Sequence, residues 1–456
     1  MPASLRPASS STSSGTLRPS TSSTCERRST LRVGIIGGGL GGLTLGQILH
    51  TAHNVEATVY ERSVDSIDRL FGYRVMISSF VLKKLRPLLR KNVWEKVVAS
   101  VGVQPESGQE LAFMKSDGQR MFTYDAEEVR DTYSISRWAM RKALLHDSDG
   151  FVRFGKTFKK YENMPDGTVK VYFVDGTTAG CDMLIGADGI SSKVRKQLVP
   201  EARVTEPGLA VIYFKIPLTR ATKELLPADS GAMAFCPSNQ NIIFHSWMNP
   251  RKLFATVYDE FDIGTDESFI MFGYGSPCSE FFNKTKPPSK LSSEELKSEV
   301  VARARSDPNM SPNIVALAEQ CIVNTAYLQI VQECQAIRKW SSPSNNVTLI
   351  GDAVFNIATM LGKGANCAML DATDLASTLI LPRMLYPSMR RPELRSLTQD
   401  NIRRRLRERH RNNLIQNLVY FGDGNRLKEY GRDKGLKMAL GWIDDPRAKD
   451  FYSARH

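Results

Sequence analysis

Apolar runs and helical periodicities alternate along the chain in a regular order. The stretch "LRVGII" (31–36) is a β-branched run suited to a buried strand, and a glycine-rich turn follows it. An apolar helical pattern then covers about 40–52 and a second strand pattern 55–60. Strand, helix and strand at this spacing predict a βαβ unit. Helical patterns recur around 80–100 and 136–146. "KVYFVDGTTAGCDMLIGADG" (170–189) reads as strands, with Asp175-Gly176 turning a hairpin. Between 205 and 275, "LAVIYFKIPL", "GAMAFCPS", "NIIFHSWM" and "LFATVYDEF" are separated by Pro, Gly and Asn, which predicts an inserted sheet. "SSEELKSEVVARARS" opens on a Ser-x-x-Glu capping box. "NNVTLIGDA" (345–353) returns the chain to the first sheet, and "ANCAMLDATDLASTLIL" (365–381) reads as a long helix. The region 393–440 is helical and basic.

Composition changes this picture at the ends. Residues 1–30 are Ser, Thr and Pro rich with almost no large apolar groups, so they cannot offset the entropy of ordering and are expected to be a disordered tail. Their Arg content also allows an organellar import signal. The net charge of +13 is concentrated: residues 1–32 carry five Arg against Glu26, and 383–456 carry 18 basic against 9 acidic residues. The chain between is neutral, which excludes a basic nucleic-acid groove through the body. The basic ends are expected to be solvated, aiding solubility or touching anionic surfaces weakly. No apolar run reaches the roughly 18 residues of a membrane span. The expectation is a soluble, cytoplasmic protein, with import through 1–30 as the alternative. Seven scattered Cys form no CxxC pair and no metal-ligand cluster with His, so no metal site is expected.

Three motifs carry chemistry. Gly37-x-Gly39-x-x-Gly42 follows a strand and opens a helix, the context in which a dinucleotide fingerprint works. Gly37 permits the tight turn, Gly39 lets backbone approach a pyrophosphate, and Gly42 lets helix and sheet pack closely. The phosphates then sit on the helix N-terminus. Glu61, at the end of the second strand, stands where an acid is expected to hold a ribose hydroxyl. "LIGADGISSKVR" (184–195) places Asp188-Gly189 after an apolar strand, and "VTLIGDAVFNIATMLGKGANCAMLDA" (347–372) places Gly351-Asp352 after another. A nicotinamide dinucleotide has no use for a second acid so far downstream. A flavin does, because its ribityl chain and ring system extend beyond the first turn.

In these three motifs, over residues 31–385, the sequence resembles the flavoprotein monooxygenases of the aromatic-hydroxylase class, and most of all the branch found in fungal secondary metabolism. The resemblance implies an α/β protein in which a Rossmann-type FAD-binding domain, in two parts (31–200 and 336–385), carries an inserted mixed β-sheet substrate domain (201–335). A basic helical C-terminal region (386–456) follows. It implies FAD as cofactor and NADPH or NADH as transient reductant. By position it implies that Glu61 binds the adenosine ribose, that Arg74 and Arg137 contact FAD, and that Asp352 bonds the ribityl hydroxyls. Gly364, Ala365 and Asn366 would present amides to the flavin at a helix start, where the dipole favours negative charge. Asp188 belongs to the motif associated with FAD and nicotinamide binding. The resemblance departs at Phe355, where the family has His, and at Thr359, where it has Pro; both bear on oxygen activation.

The implied activity is hydroxylation or epoxidation of a hydrophobic small molecule, an aromatic, polyketide or terpenoid metabolite. An oxidase or dehydrogenase on the same scaffold, and a non-catalytic FAD-fold binding protein, are the alternatives. Substrate contacts are expected from the inserted sheet, with Tyr213, Phe235, Phe244, His245, Trp247 and Met248 as candidates. The sequence assigns no catalytic acid or base.

Overall fold

The computed structural model describes residues 30–443 apart from 65–72, 104–108, 125–129, 227–232, 239–240, 249–267, 335–345, 357–361, 386–401, 408, 410–412 and 414–425. The expected tail, the stretch "LFATVYDEF" and Thr359 lie outside the described residues.

The βαβ unit forms as the periodicity requires: strand Leu31–Ile36, helix Leu40–His50 and strand Val55–Tyr60. Leu31–Ile36 pairs in parallel with Val55–Tyr60 on one side and with Met183–Gly186 on the other. Met183–Gly186 in turn pairs in parallel with Val347–Leu349, and Val152–Arg153 closes the opposite edge, giving a five-stranded sheet. Strands buried on both faces explain the unbroken apolar runs that made them recognisable. Helices Leu40–His50 and Gly364–Leu385 lie against each other, where a carbon added at Gly41 would approach the Ala368 carbonyl to 3.2 Å. Leu43, Leu45, Met369, Leu375 and Ile185 belong to the same buried cluster.

A second, seven-stranded sheet is mixed. It is ordered Tyr327–Ile330, Leu209–Pro217, Phe269–Pro277, Asn241–Met248, Met233–Ser238, Leu111–Met114 and Arg120–Tyr124. All its pairs are antiparallel except the one joining Met233–Ser238 to Leu111–Met114. Two of its strands therefore come from before residue 200. One face is covered by helices Ser293–Ser306 and Pro312–Glu319, whose Val300, Ile314 and Leu317 pack on Ile212, Phe214, Ile243 and Phe272. Ser292 and Glu295 close the capping box read from the sequence.

The basic C-terminal region departs from expectation. On the helical segment 402–407, Arg405 is fully buried and Arg404 is largely so; both are ion-paired to Asp371, itself fully buried. At Arg404 and Arg405 the charge run is an interior clamp, while Arg403 and Arg407 beside them are exposed as a solvated face would be. A charge count along the sequence cannot see the buried acid that the run meets. Among the described residues, no helix is long and apolar enough to cross a membrane.

Candidate active site

The glycine turn is built by exclusion of side chains. Gly37 has φ +112°, and a carbon added to it would lie 2.4 Å from the Ala187 carbonyl oxygen, so the turn closes directly onto the Asp188 loop. A carbon at Gly42 would lie 2.0 Å from the Gly37 carbonyl oxygen, which is why the helix can start this tightly. Gly39, the N-cap of that helix, is different: nothing lies within 4 Å of where its side chain would begin. The turn is packed on the protein side and open at the one position where backbone is expected to meet a ligand.

Glu61 is buried beneath this turn. Its carboxylate accepts from the Gly38 amide at 2.5 Å and from the Ser63 amide and hydroxyl at 2.9 Å. From the other side Arg141 donates Nε to the Gly38 carbonyl at 3.0 Å. Arg137, one helical turn earlier, is half-buried at the start of helix Arg137–Leu144, with Ser136 capping. The sequence singles out Arg137; the arginine bonded to the glycine turn is Arg141. Its signal was present as an Arg four residues on, on the apolar side of a short helix.

Asp188 caps the next helix, Lys193–Leu198. Its carboxylate accepts from Ser192 Oγ at 2.5 Å and from the amides of Lys193 and Val194 at 2.8 and 3.3 Å. Burial pushes its carboxyl above the ordinary range, opposed by these hydrogen bonds. Gly189, with φ +76°, turns the chain out of the strand.

Arg74 opens the strand Arg74–Ser78 and is buried, donating to Ser134 Oγ at 2.7 Å and Gln109 Oε1 at 2.9 Å. Burial pulls its guanidinium down to about 10, so it remains charged at neutral pH. The far end of the same strand is tied to the second flavin motif. Asn366 accepts from the Ser78 amide and donates to the Met76 carbonyl, both at 2.8 Å. Gly364, Ala365 and Asn366 form the first turn of helix Gly364–Leu385, where helix geometry leaves amides without intrahelical acceptors. Asp352 sits beside them: a carbon at Gly364 would be 3.9 Å from Asp352 Oδ1, and the Asp352 side chain is 43% exposed. Its backbone is held by Arg195, fully buried, which donates to the carbonyls of Asp352 and Ala353 at 3.1 and 2.9 Å.

Phe355 points away from this site, into a core cluster with Val354, Ala353 and Ile402. Arg409 lies over its ring at 5.9 Å.

The face of the seven-stranded sheet turned away from helices Ser293–Ser306 and Pro312–Glu319 carries a row of aromatic positions at a single register, with Phe113, Tyr213 and Phe244 buried. Tyr327 pairs with Tyr213, Tyr213 with Gly273, Gly273 with Phe244, Phe244 with Phe235, Phe235 with Phe113, and Phe113 with Phe122. Gly273 interrupts the row for a steric reason. A carbon there would lie 2.0 Å from Phe244 Cζ, so the Phe244 ring lies across the gap and meets Tyr213 edge-on at 5.5 Å. Tyr73, next to Arg74, reaches this row: its ring is 5.6 Å from Tyr213 and 6.0 Å from Tyr327, and its hydroxyl donates to the Thr325 carbonyl. Burial, with both tyrosines alongside, pushes the Tyr73 phenol above its ordinary range.

Tyr213 and Phe244 therefore face the first domain, while His245 does not. Strand alternation turns it to the helix-covered side opposite Phe272, fully buried, with neither ring nitrogen hydrogen-bonded. Burial pulls its imidazole down to about 4. The expectation that His245 contacts substrate is corrected. Alternation identifies two faces of a strand, and the sequence does not say which one the helices cover. Phe235 shares the register of the row, and the side chains of Phe235, Trp247 and Met248 lie outside the described residues.

Residues 30–253 match the family model described as an FAD binding domain. The dual O-methyltransferase/FAD-dependent monooxygenase elcB of Phaeosphaeria nodorum is 27% identical over 76% of this chain and 40% of its own length. The chain thus spans about two fifths of the length of the first curated relatives it matches. The 3-amino-4-hydroxybenzoate 2-monooxygenase PtmB3 of Streptomyces platensis is 26% identical over 83% of this chain and 87% of its own. The crystal structure of an FAD containing monooxygenase from Photorhabdus luminescens superposes with a TM-score of 0.69 at 25% identity, covering 86% of this chain and 98% of that one.

Proposed function

We propose, starting from the chain's membership of the FAD-dependent monooxygenases of the aromatic-hydroxylase class, that it uses NADPH or NADH and O2 to hydroxylate an aromatic small molecule. The residues fit FAD on their own geometry. Gly39 leaves open space at a helix N-terminus, Glu61 lies under the same turn, and Asp352 keeps an exposed carboxylate beside the first-turn amides of Gly364, Ala365 and Asn366. The helix Leu40–His50 directs its N-terminal amides at the pyrophosphate, and Arg137 and Arg74 add positive charge at the cofactor. Glu61 takes the ribose hydroxyls and Asp352 the ribityl hydroxyls; Asp188 holds the loop that backs Gly37. Bound FAD supplies the redox chemistry, passing reducing equivalents from the nicotinamide to O2 and oxygen to the substrate.

The observation that carries the aromatic reading is the row from Tyr327 to Phe122, with Tyr73 tying it to the strand of Arg74. A face of rings with few polar groups binds flat apolar substrates by stacking and excludes water from the reaction. The test is direct. Purified protein should show a flavin absorbance spectrum and consume NADPH in air faster when polyhydroxylated aromatics are added, with an oxygen atom incorporated into product. A colourless protein that takes up no added FAD sinks the proposal.

A further inference from the structure

The interior cluster that the C-terminal arginines form ends on Asp352, and its arrangement is more specific than packing requires. Arg405 donates Nε to Asp371 Oδ2 at 2.8 Å, and the same oxygen accepts from the Gly351 amide at 3.0 Å. Arg404 takes the other Asp371 oxygen at 2.9 Å. Arg405 then passes Nη1 to the Phe355 carbonyl at 3.0 Å and to Asp352 Oδ1 at 3.4 Å. Gly351, at φ +64°, bends the loop into this clamp. Arg409, one turn further, closes over Phe355 and pairs with Glu333 at 3.5 Å.

Two features separate this cluster from a stabilising ion pair. Burying several charges is a poor route to stability, because desolvation offsets most of the attraction and an apolar cluster of equal volume holds a loop as well. Arg405 Nη2 is moreover buried with no hydrogen-bond partner, so the guanidinium is not placed where it is best satisfied. It is placed where Nη1 reaches Asp352. That contact uses Oδ1 alone and leaves the rest of a 43% exposed carboxylate for other donors. Burial works against the charge of Arg405, but Asp371 and Asp352 outweigh it and hold the guanidinium above its ordinary range, so Arg405 stays charged.

We infer that Arg405 is a positioning residue for the cofactor: it aims the Asp352 carboxylate, and docking of segment 402–407 onto the Gly351–Phe355 loop is coupled to FAD binding. The inference rests on the reading of Asp352 as an FAD ligand. Coupling is reciprocal, so whatever the docked segment adds to FAD affinity, FAD returns to docking.

The experiment titrates FAD into apoprotein, followed by flavin fluorescence, alongside thermal unfolding of each variant. Arg405→Lys, which keeps the charge but loses the two-sided geometry, should weaken FAD about tenfold, which is about 1.4 kcal/mol. Arg404→Lys touches Asp371 but not Asp352; it should lower Tm and change Kd less than about twofold. In an Asp352→Asn background, Arg405→Lys should add less than about twofold, because the aimed group is gone. If Arg405→Lys binds FAD as the wild type does, or if its effect multiplies with that of Asp352→Asn, the inference fails. Should Arg405→Lys not fold, the wild type decides: FAD should slow trypsin cleavage within 403–407, and equal rates with and without FAD overturn the coupling. A wild type that binds no FAD at all refutes the reading of Asp352 itself, a result distinct from variants that bind unchanged.

Discussion

Gly39→Ala separates fold stability from cofactor binding. Gly39 has φ −79° and ψ −179°, a conformation that alanine adopts without strain, and nothing lies within 4 Å of the added methyl. Restricting the unfolded chain stabilises by about 0.4–1 kcal/mol. Losing glycine at an N-cap costs about as much, since alanine is a poorer cap. The net change in unfolding free energy should therefore stay within about 1 kcal/mol. Cofactor binding should respond differently, because the methyl stands where the pyrophosphate meets backbone. Inserting a methyl into a closed contact costs roughly 1–3 kcal/mol, which is roughly a 5- to 150-fold loss of affinity. Thermal unfolding of the apoprotein and FAD titration by fluorescence measure the two quantities independently. A Gly39→Ala variant with wild-type FAD affinity would show that no ligand approaches this position. A variant destabilised by several kcal/mol would show that the open space is not open.

Gly42→Ala should lose both properties, since the added carbon meets the Gly37 carbonyl oxygen at 2.0 Å and the helix must move off the turn; expect a fall of about 1–3 kcal/mol in urea unfolding together with weaker FAD. His245→Leu should stabilise the protein by about 1–2 kcal/mol at pH 7, because it removes two buried nitrogens that have no partner. The same change should flatten the acid limb. His245 is held neutral down to about 4 in the folded state, whereas the unfolded chain takes up the proton near 6.5. Wild-type stability is therefore lost as pH falls between those values, by about 3 kcal/mol, and unfolding at pH 7 and 4.5 checks this. Gly273→Ala should push the Phe244 ring out of its gap and raise KM for aromatic substrates, with Gly273→Ala/Phe244→Leu recovering stability; a single variant with unchanged KM would argue against the row as a substrate floor.

The parts of the site that are local in sequence were legible, and those that depend on what packs against what were not. Gly37, Gly42 and Glu61 declare themselves because one turn and the strand beside it must satisfy a single steric pattern. Asp352 and Gly364 were recognisable for the same reason at a second strand-to-helix turn. His245 was misplaced because the pattern of a strand is unchanged when its two faces are exchanged. Arg405 was missed because its partner Asp371 sits inside an apolar helix 34 residues upstream, where one acid reads as an exposed position. Arg141 was not legible: the motif marks Arg137, and the bond from Arg141 on the same helix to the Gly38 carbonyl depends on how that helix packs on the glycine turn.

The bond from the Ser78 amide to Asn366 joins residues 288 apart in sequence, and the parallel strand Val347–Leu349 completes a sheet begun at Leu31. During synthesis, at about 5–20 residues per second, the glycine turn and Glu61 therefore wait tens of seconds for the strand and helix that complete their sheet and its packing. A nascent chain that has emerged only as far as the seven-stranded sheet has the glycine turn but lacks the helix Gly364–Leu385 that packs against the helix following that turn. Completion of the fold around the glycine turn is in that sense a late event in synthesis.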